Sequence, residues 1–222
     1  MSPEITAKEV KALRDRTGAG VLACREALTE SDGDVDRAVE ILRARGQAQA
    51  AKRAGAEATE GVVQSYIHAG NKIGVLVEVD CETDFVARND NFVAFARDLA
   101  LHIAAANPLA VTDADIPAED REREERIATE QAADRPENVR ERIVQGKLDK
   151  WLDEVVLLRQ KHVNDGKHDG KTIEELRAAL AAETRENIVI RRFETVYLRH
   201  VLAQKILGLC DLGVPHLKLI WG

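Results

Sequence analysis

The amino-acid sequence predicts an α+β protein: a three-helix domain at the N-terminus, then a helical core domain around a small three-stranded antiparallel sheet. Three observations carry the prediction. Apolar residues recur at helical spacing through the first 45 positions, the period changes to two between Ile73 and Val79, and a second alternating run spans Ile188 to Phe193. The expected domains are 1–46 (three helices), 47–60 (linker), 61–195 (α+β core) and 196–222 (a divergent apolar tail).

Val10 and Leu13 open the first helix, and Thr17-Gly18-Ala19-Gly20 breaks it. Val21, Cys24 and Leu28 fall at i, i+3 and i+7 on one face of the second. Ser31-Asp32-Gly33-Asp34 is a turn whose acceptors cap a third helix, carrying Val35, Ala38, Val39 and Leu42 and expected to end at Gly46. The small, polar run from Gln47 to Thr59 has no wide apolar face and reads as a linker, in part helical. Ile73, Val75, Val77 and Val79 form one apolar strand face. Gly61 to His68 is its partner across the four-residue loop Ala69-Gly70-Asn71-Lys72. Phe92, Phe95, Ala96, Leu99 and Ile103 mark a long amphipathic helix that stops near Asn107-Pro108, and both phenylalanines are expected in the core. Pro117 and Pro136 suit the first position of a helix, and Leu148, Trp151, Leu152 and Val155 make another helical stripe. Thr172 with Glu175 is a capping-box pattern ahead of Ile173, Leu176 and Leu180.

Composition restricts function. The net charge of −7 and only eight aromatic residues argue against a protein that tracks phosphates or stacks bases, so no direct nucleic-acid contact is expected. The charge is uneven: Asp113 to Arg142 holds 11 acids against 6 bases, whereas residues 1–56 hold 9 against 10. Met1 to Val10 has no apolar signal region, no 18-residue apolar run occurs, and the three cysteines (Cys24, Cys81, Cys210) are scattered. A cytoplasmic protein without a membrane span is the expectation.

Enzyme chemistry is not legible. No phosphate-binding Gly-x-x-x-x-Gly-Lys-Ser/Thr loop occurs, and Gly18 and Gly20 are followed by Ala23 where a dinucleotide fingerprint needs glycine. Asp32, Asp34 and Asp36 alternate like calcium ligands. Arg37 and Arg43 stand where such a loop needs glycine and glutamate, so a helix cap is the better reading. His162 and His168 lack a cysteine partner or i, i+4 spacing and read as a polar surface loop. No metal, cofactor or catalytic residue is expected.

Two segments are specific enough to carry a family resemblance. Leu13 to Leu28 (Leu-Arg-Asp-Arg-Thr-Gly-Ala-Gly-Val-Leu-Ala-Cys-Arg-Glu-Ala-Leu) resembles the N-terminal signature of the bacterial elongation factor Ts family. Thr83-Asp84-Phe85-Val86-Ala87-Arg88-Asn89 resembles its central signature. Ala51 to Gly55, Val144 to Leu148 and Glu186 to Phe193 add support, and the resemblance covers residues 3 to 195 with a single copy of the hairpin core, as in short-form members. It implies a guanine-nucleotide exchange factor that binds GDP-bound elongation factor Tu, loosens its Mg²⁺ and phosphate contacts and forms a homodimer, without covalent chemistry. Carried over by position, Val21 and Leu22 with Lys11 and Arg14 at their polar flank would pack on the GTPase. Thr83, Asp84, Phe85 and Val86 would form the motif that disturbs its Mg²⁺ side.

Competing expectations attach to the same residues. Val21 shares a stripe with Leu28 and equally suits the core, and Phe85 alone would pass for a core phenylalanine. The three N-terminal helices also suit a ubiquitin-associated-like binding module, which would have no need of Thr83 to Asn89; a small metabolic enzyme would need an acid–base or metal cluster. From Val196 onward the sequence departs from the family with 16 apolar residues in 27, including Cys210 and Trp221, for which no role is assigned.

Overall fold

A computed structural model describes residues 5–17, 19–53 and 55–198. The expected break at Gly18, the tail from residue 199, Cys210 and Trp221 lie outside the described residues.

Helices α1 (Ala7–Thr17), α2 (Val21–Glu30) and α3 (Val35–Arg53) enclose a small core of Val10, Leu13, Cys24, Ala27, Leu28 and Ala38. Asp34 caps α3 as its sequence suggests, Oδ1 accepting from the backbone N–H groups of Asp36 at 3.0 Å and Arg37 at 3.1 Å. One expectation is corrected here. Gly46 does not end α3, which continues for seven residues to Arg53. Its lack of a side chain serves packing instead, because a Cβ there would lie 2.8 Å from the Cβ of Ala182 on a facing helix.

Strands β1 (Glu60–Ile67), β2 (Ile73–Cys81) and β3 (Val189–Tyr197) form an antiparallel sheet in the order β1-β2-β3. The hairpin loop closes through His68 N–H donating to the Ile73 carbonyl at 2.9 Å, with Gly70 (φ 92°) and Asn71 (φ 56°) supplying the positive angles of the turn. β3 extends past Phe193 to Tyr197, four residues beyond the expected run. A bulge opposite Glu78 and Val79 leaves Arg191 without a Cα partner on β2, and its Nε donates to Asp80 Oδ2 at 2.7 Å.

One face of the sheet buries Val75, Val77 and Val79 against α5 (Asp90–Ala106), whose Phe92, Ala96, Leu99 and Ile103 are fully or almost fully enclosed while Phe95 packs at the core's margin. Asn107 ends α5 in the left-handed conformation at φ 52°. The other face leaves Val63, Ile67, Leu76 and Val196 exposed, the last three lining a groove of about 470 Å³. α4 (Asp84–Ala87) is one turn between β2 and α5. α6 (Ala118–Gln131) and α7 (Glu137–Val155) pair with each other, and a third cluster of Ala110, Ile116, Leu152 and Val156 joins α7 to the segment after α5. Pro117 and Pro136 take the cap positions, not the first helical ones, each with ψ near 135°. Short α8 (Asp165–His168) precedes α9 (Ile173–Thr184), which opens on the capping box of Thr172 and Glu175 and lies against α3.

A second correction concerns His162 and His168. Their segment folds over α5, so His162 is buried, not on a surface loop; its ring lies 5.2 Å from that of buried His102 and 4.1 Å from that of His168. His102 Nδ1 accepts from Val163 N–H at 3.2 Å, and His162 Nδ1 accepts from Asn164 N–H at 3.0 Å. Each ring is therefore neutral, its Nε2–H donating to Gln160 Oε1 at 2.9 Å and to the Asp98 carbonyl at 3.2 Å respectively. His168 Nε2 is buried without a hydrogen bond among the described residues, 3.5 Å from Asp98 Oδ2.

Candidate functional site

Two groups of residues singled out in the sequence lie on separate elements. On α1, Lys11 and Arg14 are exposed and three residues apart, so they share a face. Gly20 caps α2 without a side-chain hydrogen bond, and the first turn presents both Val21, 56% exposed, and Leu22, 70% exposed. The buried stripe of α2 is Cys24, Ala27 and Leu28, so Val21 is not part of the core. Leu22 edges a shallow groove with Arg25, Glu26, Thr29, Glu30 and Arg45, and Arg45 is paired with both Glu26 and Glu30.

The second group caps and forms α4. β2 ends at Cys81, whose thiol donates to the Thr83 carbonyl at 3.2 Å; burial, aided by the nearby Glu186, Asp80 and Glu60 carboxylates, pushes that thiol up to about 11 and keeps it protonated. Thr83 is extended at φ −130° and caps α4, its Oγ1 accepting from Val86 N–H at 3.4 Å. Glu186 holds Thr83 in turn. Its Oε2 accepts from the N–H groups of Glu82 and Thr83, each at 3.0 Å, and its Oε1 accepts the Thr83 hydroxyl at 2.5 Å. Glu82 fastens the same corner through Oε1, which accepts from Asn187 N–H at 2.7 Å, and Oε2, which accepts from Arg53 at 2.8 Å.

This scaffold sets the exposure of the motif's four residues. Val86 is buried in the main core and anchors the turn. Asp84 is exposed and paired with Arg88 at 2.8 Å. Phe85 is 85% exposed. Phe85 is therefore not the core phenylalanine that the residue alone would suggest. Spacing alone could not reveal Glu186 or Glu82, which lie 103 and one residue from Thr83 and act through hydrogen bonds. Among the described residues no group of three or more His, Cys, Asp or Glu side chains is arranged to hold a metal ion, and no helix is long and apolar enough to cross a membrane.

The family model described as elongation factor TS matches residues 35–169. The chain is 51% identical over 191 residues to elongation factor Ts of Desulfotalea psychrophila, covering 85% of this chain and 95% of that protein. It is 49% identical over 203 residues to elongation factor Ts of Geobacter sulfurreducens, covering 90% and 93%. A third relative, elongation factor Ts of Carboxydothermus hydrogenoformans, is 50% identical over 203 residues, covering 90% and 92%.

Proposed function

Because the chain belongs to the elongation factor Ts family, whose members are translation elongation factors, we propose that it is a cytoplasmic guanine-nucleotide exchange factor for elongation factor Tu. In this reading the chain performs no covalent chemistry. It binds the GDP-loaded GTPase and weakens the contacts around Mg²⁺ and phosphate, so that GDP leaves and GTP enters. By linkage, a factor that lowers GDP affinity has its own affinity lowered equally by GDP. Exchange therefore requires preferential binding to the nucleotide-free partner.

The observation that carries the reading is Phe85, 85% exposed on a turn pinned at Thr83. Its apolar area is available for a contact made only with the opened GTPase, while the exposed pair Val21 and Leu22, flanked by Lys11 and Arg14, supplies docking. Asp84, whose pairing with Arg88 is exposed and therefore weak, has a carboxylate free to exchange partners near Mg²⁺. The division of labour follows the chain, with α1 and α2 carrying the docking group and the turn between β2 and α5 carrying the exchange motif. Stopped-flow release of fluorescent GDP from elongation factor Tu tests the function: saturating factor is expected to accelerate release by more than tenfold, and an unchanged rate overturns the reading.

The same protein is proposed to be a homodimer. Val63, Ile67, Leu76 and Val196 form an apolar face on a sheet whose opposite face is already covered by α5, and a second copy of that face would bury it. Multi-angle light scattering at micromolar concentration is expected to give twice the chain mass; a monomer refutes the assignment.

A further inference from the structure

The two proposed contact groups converge on one turn of the chain. Arg185 ends α9 and Glu186 follows it. The Arg185 guanidinium lies against Gly20, close enough that a Cβ on Gly20 would stand 2.9 Å from its Nη2, and Gly20 is the cap of the helix that presents Val21 and Leu22. Glu186 accepts three hydrogen bonds from Glu82 and Thr83, the cap of the turn that presents Phe85. Adjacent Cα atoms are about 3.8 Å apart, so one peptide unit links the docking helix to the exchange turn.

Two further features describe this turn. Arg185 adopts φ 61°, a left-handed conformation that glycine occupies at lower cost. The next residue, Asn187, is also tied down: its N–H donates to Glu82 Oε1 at 2.7 Å and its Nδ2 donates to the Ala56 carbonyl at 2.8 Å. Thus α9, the segment after α3 and the exchange turn meet at three consecutive residues.

We propose that Arg185 and Glu186 are positioning residues that couple docking to exchange: they fix the Phe85 turn relative to the α2 surface, so that binding through Leu22 delivers Phe85 in register. Neither residue needs to touch nucleotide. The proposal rests on the exchange reading for its functional half, whereas its structural half, the clamp on Thr83, stands alone.

The two halves are tested separately. In Glu186→Ala, amide hydrogen exchange at Ala87, Arg88 and Asn89 is expected to accelerate at least tenfold while the interior amides of α5 are unchanged. Equal protection in the variant overturns the clamp, whatever the protein does to GDP. In GDP release assays, Glu186→Ala is expected to lower the maximal rate at least fivefold with less than a twofold change in the concentration giving half-maximum. Glu186→Gln, whose carbonyl can still face the two backbone N–H groups, is expected to recover most of that rate. The double variant with Phe85→Ala is expected to be no slower than Phe85→Ala alone, because Glu186 acts through Phe85. A full maximal rate in Glu186→Ala, a changed half-maximum alone, or multiplied losses in the double variant each overturns the coupling. If the unaltered protein itself fails to accelerate release, the exchange reading is what falls, and the hydrogen-exchange result still decides the clamp.

Discussion

Leu22 and Phe85 are both large apolar side chains in water, 70% and 85% exposed, and the proposed function gives them different work. Leu22 sits on the first turn of a helix whose opposite face is packed, so the fold itself fixes where it points. Burying such a side chain contributes about 1.5–3 kcal/mol. Leu22→Asp is therefore expected to weaken the complex with elongation factor Tu by at least about tenfold at unchanged helix content, measured by titration calorimetry and circular dichroism. Phe85 contributes almost nothing to the fold, because it is already exposed. Phe85→Ala is expected to leave unfolding within about 0.5 kcal/mol of the parent. Docking to the GDP form should survive while the maximal GDP release rate at saturating factor falls, and a folded variant with full maximal release would show that the residue merely occupies the surface.

At the scale of elements, the contact between α3 and α9 depends on Gly46. Glycine in a helix interior normally costs about 1 kcal/mol relative to alanine, so replacing it usually helps. Here the facing Ala182 Cβ, 2.8 Å from any added Cβ, reverses that sign. Gly46→Leu is expected to lower stability by about 1–3 kcal/mol in urea denaturation, with partial recovery on adding Ala182→Gly. The same contact explains which elements the sequence could disclose. Thr172 and Glu175 form their capping box within four residues, and the alternation at Ile73, Val75, Val77 and Val79 is local, so each is readable without knowledge of the rest. Gly46 looks like a helix stop because the residue that requires its small size lies 136 positions away. His162 looks exposed in a polar stretch because Asp98 of α5, against which it packs, lies 64 positions away. The candidate site follows the same division: Phe85 and Leu22 are identifiable from contiguous motifs, whereas Glu186, which holds Thr83, is joined to it only by folding.

For the whole molecule, the stacked histidines give folding a pH dependence. Burial is the main cause that lowers His102 to about 4, opposed by its bond to Gln160 and reinforced by His162, which burial also lowers. The unfolded chain takes up a proton at His102 below about 6.5, its ordinary value, while the folded chain refuses it until about 4. Stability from this group is thus complete above pH 6.5 and is lost as pH falls towards 4, at up to about 1.4 kcal/mol per pH unit. Denaturation midpoints from pH 7.5 to 4.5 should fall more steeply for the parent than for His102→Gln, and parallel curves would remove His102 as the cause. The hairpin loop described above has a practical consequence. β2 runs eight residue steps from Ile73 to Cys81, about 26 Å at the strand rise of 3.3 Å per residue. The loop at Gly70, where an added Cβ meets nothing within 4 Å, therefore lies a full strand length from Thr83. That tip is a place to insert an affinity tag or a fluorophore: a reporter there sits at the opposite end of β2 from the turn that carries Phe85.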